Sequence, residues 1–509
     1  MEMAPVDGSS TSRSPEEGDR AAGPDPVGSW PTTVAETHVS LLFFVGDRVY
    51  KVRKPVQFGF VDFRRREARR LDCEREVRLN RRLAPDVYLG VADVVLEGEP
   101  VDHMVVMRRM PEGRRLARLA RRRVGLDGCL HQVAGTLAEF HAGADRSPDI
   151  SAAGSGEAQW AAWQANFAET APFVGTVLDE STEEEIRRLA ERWTSGRHAV
   201  LDRRIEEGRV CDGHGDLQAE DIFCLDDGVR ILDCIEFSDR LRYGDVCADA
   251  AFLAMDLERL GRADAAVRFL ADYQDLAGDH FPDVLVHYYC ASRAYVRAKV
   301  CCLRYEQGDR EADVEARQLQ ELARRHLRDA RVRMVLVGGL PGSGKTTVAA
   351  GIGAATGWPV LSTDEVRRQT FPTEGGPPGG HLGGRYDPVA TQSVYLELLR
   401  RAEHSLASGE SVVLDASWTG AERRRAARAL ADRTRSDLVE LRCEAAPVVE
   451  DRRIARRLSR GTGPSEATPE VRAAMARATD PWPSAATIDT TGTTPEQAVG
   501  LALEALSQV

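Results

Sequence analysis

Lysine is almost missing from this chain. Only four of its 68 basic side chains are lysine, namely Lys51, Lys54, Lys299 and Lys345, and the rest are arginine. The two cations exchange freely on most solvated surfaces, but not where a compact point charge is required. Each surviving lysine is therefore a candidate functional position, set against the plain alternative of a chance survivor. Long apolar runs are absent too, so neither a membrane span nor a signal peptide is expected. The ten cysteines are scattered, without a C-x-x-C, which argues against a zinc site or a disulfide framework and predicts reduced thiols in a cytoplasmic protein. A net charge of −12 excludes a global basic field that would draw the chain to nucleic acid.

At 509 residues the chain is too long for one core, and two or three domains are expected. The clearest motif is Gly339-Leu-Pro-Gly342-Ser343-Gly344-Lys345-Thr346, which follows the apolar run Met334 to Val337 and leads into Thr347-Val-Ala-Ala, a helix start. This is G-x-x-x-x-G-K-[ST] in strand–loop–helix context, a phosphate-binding loop. Its glycines let backbone N–H groups curl around a triphosphate at a helix N-terminus. Lys345 would reach the phosphates and the Thr346 hydroxyl would bind Mg²⁺. About two thirds of the chain lies before this loop.

Residues 1–30 are rich in Ser, Pro, Gly, Glu and Asp and read as a disordered tail. Val39–Val45 and Arg48–Arg53 around Gly46-Asp47 read as a hairpin. Lys51 and Lys54 are an odd number of residues apart, so only one of them can face a cleft. A helix over 64–83 and strands at 87–96 and 103–107 complete a small α+β lobe. Helices over 126–142, 158–167 and 182–201 then indicate a larger helical lobe. Inside it stand Gly213-His214-Gly215-Asp216, Asp221-Ile-Phe and Val229-Arg-Ile-Leu-Asp233. Asp216 is a candidate base for a hydroxyl nucleophile, and Asp221 and Asp233 are oxygen ligands suited to Mg²⁺. The plain alternative for aspartates in loops is turn chemistry.

His-Gly-Asp, followed about a dozen residues later by Ile-Leu-Asp, resembles the aminoglycoside phosphotransferase and choline kinase-like families, relatives of protein kinases. The resemblance spans roughly residues 31–310. It implies that Asp216 is the catalytic aspartate, Asp233 the metal aspartate and Lys51 the phosphate-holding lysine. Glu76 matches the lysine's helix partner, with Glu74 as the alternative, and Met107–Met110 would be the hinge. Two departures stand out. Position 221 is Asp where these families carry Asn, and no G-x-G-x-x-G precedes Lys51, so the segment Glu36–Ser40 would cover the phosphates. The acidic stretch from Asp245 to Asp249 reads either as a substrate-binding feature or as a solvated helix start.

On a helix over 287–307, Tyr288, Ser292, Tyr295 and Lys299 share one face. That suggests a pocket wall with Lys299 as an anion contact, or a lysine snorkelling at an interface. A charged helix over 311–331 reads as a connector. Beyond it, strands at 334–337, 359–361, 411–414, 438–442 and 487–489 alternate with helices, implying a parallel sheet with helices on both faces. Asp364 and Asp415 sit at strand ends, where ligands of such sheets gather. Residues 332–509 resemble the polynucleotide kinase and gluconate kinase-like phosphotransferases. This resemblance implies that Asp364 is the substrate-hydroxyl base, Arg367 a substrate contact and Asp415 a Walker B-like aspartate on Mg²⁺. Arg453, Arg457 and Arg460 lie in a helical arginine stripe that reads as a lid or as a solvated basic face. The run 372–384 reads as a mobile loop.

The expected architecture is two domains, a bilobal protein-kinase-like α+β fold and an α/β P-loop NTPase fold. The expected boundaries are 1–30 tail, 31–112 N-lobe, 113–310 helical lobe, 311–331 connector and 332–509 P-loop domain. The expected function is a phosphotransferase using ATP and Mg²⁺ at two sites on a small-molecule hydroxyl. The alternatives are an ATP-binding regulatory protein with one inactive site, or a nucleic-acid end kinase.

Overall fold

The computed structural model describes residues 32–37, 39–58, 61–123, 125–370, 388–460 and 467–507. The expected tail and the run 372–384 lie outside the described residues.

The first elements are β1 (Thr32–Glu36), β2 (Ser40–Val45), β3 (Arg48–Arg53), the two-residue strands β4 (Gln57–Phe58) and β5 (Val61–Asp62), α1 (Arg66–Asn80), β6 (Tyr88–Leu96) and β7 (Glu99–Arg108). Five of these strands form an antiparallel sheet in the order β1-β2-β3-β7-β6. Cys73 and Val77 of α1 pack on Val49, Val105 and Met107 of the sheet. Gly46 turns at φ 56°, which lets Asp47 and Gly46 close the β2–β3 hairpin without a Cβ clash. Strand β1 was not expected. Its sequence, Thr-Thr-Val-Ala-Glu, carries little apolar signal, and it forms by adding to the edge of β2.

Helices α2 (Leu116–Arg121), α3 (Asp127–Gly143), α4 (Pro148–Ala152), α5 (Gly156–Thr170), α6 (Glu180–Gly196) and α7 (His198–Glu206) follow. The helix expected over 182–201 is thus two, broken at Arg197, whose backbone leaves helical geometry at φ −125°, ψ 27°. Short strands β8 (Val210–Asp212), β9 (Ile222–Leu225), β10 (Gly228–Ile231) and β11 (Tyr243–Asp245) precede α8 (Val246–Arg259), α9 (Ala263–Ala277), α10 (Asp283–Glu306) and α11 (Ala312–Asp329). Helix α11 buries Ala316, Leu319, Ala323 and Leu327 and packs along α10, as its apolar spacing of three and four dictates.

The last part holds β12 (Arg333–Gly338), α12 (Lys345–Thr356), β13 (Val360–Ser362), α13 (Thr363–Thr370), α14 (Pro388–Ala407), β14 (Val412–Asp415), α15 (Ala421–Arg433), β15 (Asp437–Glu444), α16 (Pro447–Arg460), α17 (Pro469–Arg477), β16 (Ala486–Asp489) and α18 (Pro495–Ser507). Its five strands are all parallel, in the order β13-β14-β12-β15-β16. Alternate residues of β12 feed two cores, Met334 and Leu336 on one face, Val335 and Val337 on the other. That alternation is why helices cover both faces.

The chain divides into two compact units. One holds the described residues up to Gly154 with Arg204–Phe281, the other Ser155–Arg203 with Pro282 onward. In the first, Cys129 near the start of α3 is bonded to Cys224 of β9. This departs from the expectation of reduced thiols throughout. The packing of α3 against the β9–β10 hairpin brings together two cysteines 95 residues apart, which no local spacing reveals. No helix among the described residues is long and apolar enough to cross a membrane.

Candidate active site

The first unit contains a cavity of about 580 Å³, lined among others by Thr37, Phe44, Lys51, Met107, Asp221 and Asp233. Strand alternation turns Val49, Lys51 and Arg53 to the buried side of β3. Lys51 Nζ donates to Glu76 Oε1 at 2.8 Å and lies 3.5 Å from Asp233. Of the two acidic residues considered on α1, Glu76 is the buried one, while Glu74 pairs on the surface with Arg70. Lys54 sits outside the cavity lining, donating to Thr37 O at 2.6 Å and pairing with Glu36. It thereby fastens the β1–β2 turn at the cavity edge. Arg108 and Arg109, with Met107 and Met110, form the strand end that the sequence suggests as a hinge.

The loop bearing Asp216 is held from α8. Asp249 accepts the backbone N–H groups of His214 at 2.6 Å and Gly215 at 2.9 Å, and Asp256, two turns later, accepts that of Ala219 at 2.9 Å. Gly215 has φ 87°, and a Cβ there would lie 2.7 Å from Leu241 O. Gln218 Nε2 donates to Asp216 Oδ2 at 2.9 Å. Leu232 N donates to Asp221 O at 2.9 Å, so the strand ends carrying Asp221 and Asp233 are joined directly. Asp233 has φ 63°, a conformation held by Tyr88 Oη on its N–H and Asn80 Oδ1 on the next.

These charges perturb one another. Burial, then the neighbouring Asp233 and Asp216, push the Asp221 carboxyl well above the usual range. Burial works against the Asp233 carboxylate as well, but the Lys51 ammonium overrides it and holds that carboxyl low. Lys51 itself is disfavoured by burial yet kept charged by Glu76 and Asp233. Burial lowers the His214 imidazole, so it stays neutral and accepts from Asp216 N through Nδ1.

In the second unit, Gly339 to Gly344 bridge β12 and α12, and helix α12 begins at Lys345 with Thr346 and Thr347 in its exposed first turn. Gly342 has φ 84°, and a Cβ would sit 2.5 Å from Glu450 O, so only glycine fits this close approach. Asp415 ends β14 in register with Val337 of β12 and Ser362 of β13. Burial raises its carboxyl, opposed by Lys345 and by a hydrogen bond from Thr346. Its Oδ1 and the Ser343 Oγ are buried without a partner among the described residues. Asp364, at the start of α13, pairs with Arg367 at 2.9 Å.

Several expected contacts lie elsewhere. Lys299 pairs with Glu169 at 3.2 Å, and Tyr288 and Tyr295 are fully buried, hydrogen-bonded to Thr194, Thr170 and Glu183. That helix face is packed core, not a pocket wall. Arg453 donates to Gly342 O, Thr490 Oγ1 and Thr490 O, bracing the phosphate-binding loop from behind. Arg457 donates to Ala467 O. Arg460 ends α16, and its side chain lies outside the described residues. Asp245 caps α8 and pairs with Arg204. With Asp249 turned to the Asp216 loop, the acidic stretch is engaged internally. Sequence reasoning missed Arg53, Gln218, Glu236 and Asp256. For Arg53 a signal existed, since it stands two residues after Lys51 on the same strand face.

The chain therefore carries two folds, an N-terminal protein-kinase-like α+β fold around an antiparallel sheet and a C-terminal α/β P-loop NTPase fold with a parallel sheet. The AAA domain family model matches residues 334–482. Uncharacterized protein Rv2004c of Mycobacterium tuberculosis is 42% identical over 473 residues, covering 92% of this chain and 94% of that protein. The chain belongs to the same family as this mycobacterial protein. Among solved structures, a choline/ethanolamine kinase family protein from Mesorhizobium loti aligns over 59% of this chain and 92% of its own, at 14% identity and TM-score 0.39. A gluconokinase from Sinorhizobium meliloti aligns over 35% and 92%, at 17% identity and TM-score 0.25.

Proposed function

We propose that the protein is an ATP-dependent phosphotransferase with two nucleotide sites, each passing the γ-phosphate to a hydroxyl of a small molecule. The observation that carries this reading is the placement of Lys51 Nζ between Glu76 and Asp233 at the wall of the cavity. The phosphate-binding loop before α12 is its counterpart in the second unit. In this reading residues 31–310 serve the first site and 332–509 the second.

The donor sets fit Mg²⁺. Asp221 and Asp233 would hold it in the first unit, two carboxylates whose strand ends are joined by Leu232 N on Asp221 O, a number that suits a cation keeping phosphate and water ligands. Thr346 and Asp415 would hold it in the second, where a buried carboxylate oxygen has no other partner among the described residues. When bound, the metal neutralises phosphate charge. Lys51 and Lys345 bind phosphate oxygens. Asp216, oriented by Gln218, accepts the proton of the attacking hydroxyl, and Asp364, oriented by Arg367, does the same in the second unit. The test is ATP consumption by the full chain, Asp216→Ala and Lys345→Ala across a panel of hydroxyl acceptors. Each variant should abolish a different acceptor's phosphorylation. Turnover insensitive to Asp216→Ala would refute the first site.

A further inference from the structure

Arg53 is a fully buried cation that does not line the cavity. Its Nε donates to Asp72 at 2.6 Å, one nitrogen of its fork to Ser40 Oγ at 2.8 Å, and the other to Glu76 Oε2 at 2.7 Å and Glu236 Oε1 at 2.5 Å. The Phe63 ring lies 5.6 Å from its guanidinium carbon. Four elements of the first unit meet on this one side chain: β2, β3, α1 and the segment that leaves Asp233.

Glu76 is shared. Its Oε1 takes the Lys51 ammonium and its Oε2 takes Arg53, so the position of the lysine's partner depends on the arginine. Glu236 stands three residues after Asp233, on the segment whose path decides where that carboxylate faces the cavity. Arg53 therefore ties the Lys51–Glu76 pair and the Asp233 segment to a single group. A lysine could not do this. Three nitrogens set in a rigid plane reach four acceptors in fixed directions, whereas one ammonium has no such fork. The cluster holds Lys51 and Arg53 against Asp72, Glu76, Glu236 and Asp233, and an orphaned carboxylate there would be costly. Burial pushes the Glu236 carboxyl up to about 7 although Arg53 opposes it, so this contact sits near the limit of what the cluster can hold charged.

We propose that Arg53 is a positioning residue for the N-terminal nucleotide site, acting through Glu76 on Lys51, with Glu236 anchoring Arg53 from the segment that follows Asp233. The inference rests on the reading of that cavity as a nucleotide site. It differs from simple fold support in one respect: its effect on nucleotide must run through Lys51.

The experiment uses the full chain with Lys345→Ala to silence the second site, and a fluorescent ATP analogue with Mg²⁺ as probe. Circular dichroism checks folding. Arg53→Met should weaken binding about tenfold, and Arg53→Lys should restore little, because charge without the fork does not span the acceptors. Added to Lys51→Met, Arg53→Met should cost less than about twofold more. Glu236→Gln, a near-isosteric change, should show the same lack of additivity, and it replaces Arg53→Met should that variant fail to fold. Unchanged affinity in a folded Arg53→Met protein, or losses that multiply in the double variants, would overturn the proposal. A folded Lys345→Ala protein that binds no probe at all would instead refute the nucleotide-site reading on which it rests.

Discussion

Asp249 takes the backbone N–H of His214 onto its carboxylate at 2.6 Å from 35 residues further along the chain. With Asp256 two turns later on α8, it brackets the loop that presents Asp216. The two carboxylates divide the work, since Asp249 holds the His214–Gly215 end and Asp256 the Ala219 end. Asp249→Ala leaves two buried N–H groups unpaired, a cost on the order of 2–5 kcal/mol. In hydrogen exchange, Asp249→Ala should speed the amides of 213–216 first. Asp256→Ala should speed those of 218–222 and leave the first group slower. Equal acceleration of the whole loop by either variant would contradict this division.

Burial first, and then Asp233 and Asp216, raise the Asp221 carboxyl. Its folded value lies above the ordinary one, so folding takes up protons and stability falls as pH rises from the usual carboxylate range through the raised value. Asp221→Asn removes that loss. Without Mg²⁺ at pH 8 the variant should melt about 2–5 °C above the natural chain, with the gap closing near pH 4. Added Mg²⁺ should raise the melting temperature of the natural chain more than that of the variant.

The Cys129–Cys224 bond leaves eight free cysteines, all buried. Alkylation of protein unfolded without reductant should therefore modify eight thiols and spare the peptides bearing Cys129 and Cys224. With reductant, all ten should react.

Lys299 shares its helix with Tyr288 and Tyr295 but pairs with the half-exposed Glu169. Lys299→Arg should keep turnover at either site within about twofold, as expected for an exposed ion pair.

That last case shows how far the sequence could be read. The spacing of four, three and four residues from Tyr288 through Ser292 and Tyr295 to Lys299 puts them on one helix face. What that face meets is decided by Thr170, Glu183 and Thr194 from other helices, and spacing carries no record of them. The parallel strands and the Lys345 loop were legible because each is a local signal, an apolar run or a glycine pattern. The break at Arg197 follows Gly196, a single glycine that the expected helix over 182–201 runs through. It is stabilised when the Arg197 guanidinium donates to Gly196 O and Thr434 O. Arg53 shares its strand face with Lys51, a local signal, but its partner Glu236 is 183 residues away and leaves none. Arg453 showed the right period for a lid stripe, yet Thr490 and Gly342 claim its donors.

The central claim, two nucleotide sites on one chain, is tested most directly by the stoichiometry of MgATP binding in titration calorimetry. The account predicts two tightly bound molecules per natural chain, one for Lys345→Ala, one for Lys51→Met, and only greatly weakened binding for the double variant. A single molecule per natural chain, lost in Lys345→Ala alone, would contradict it.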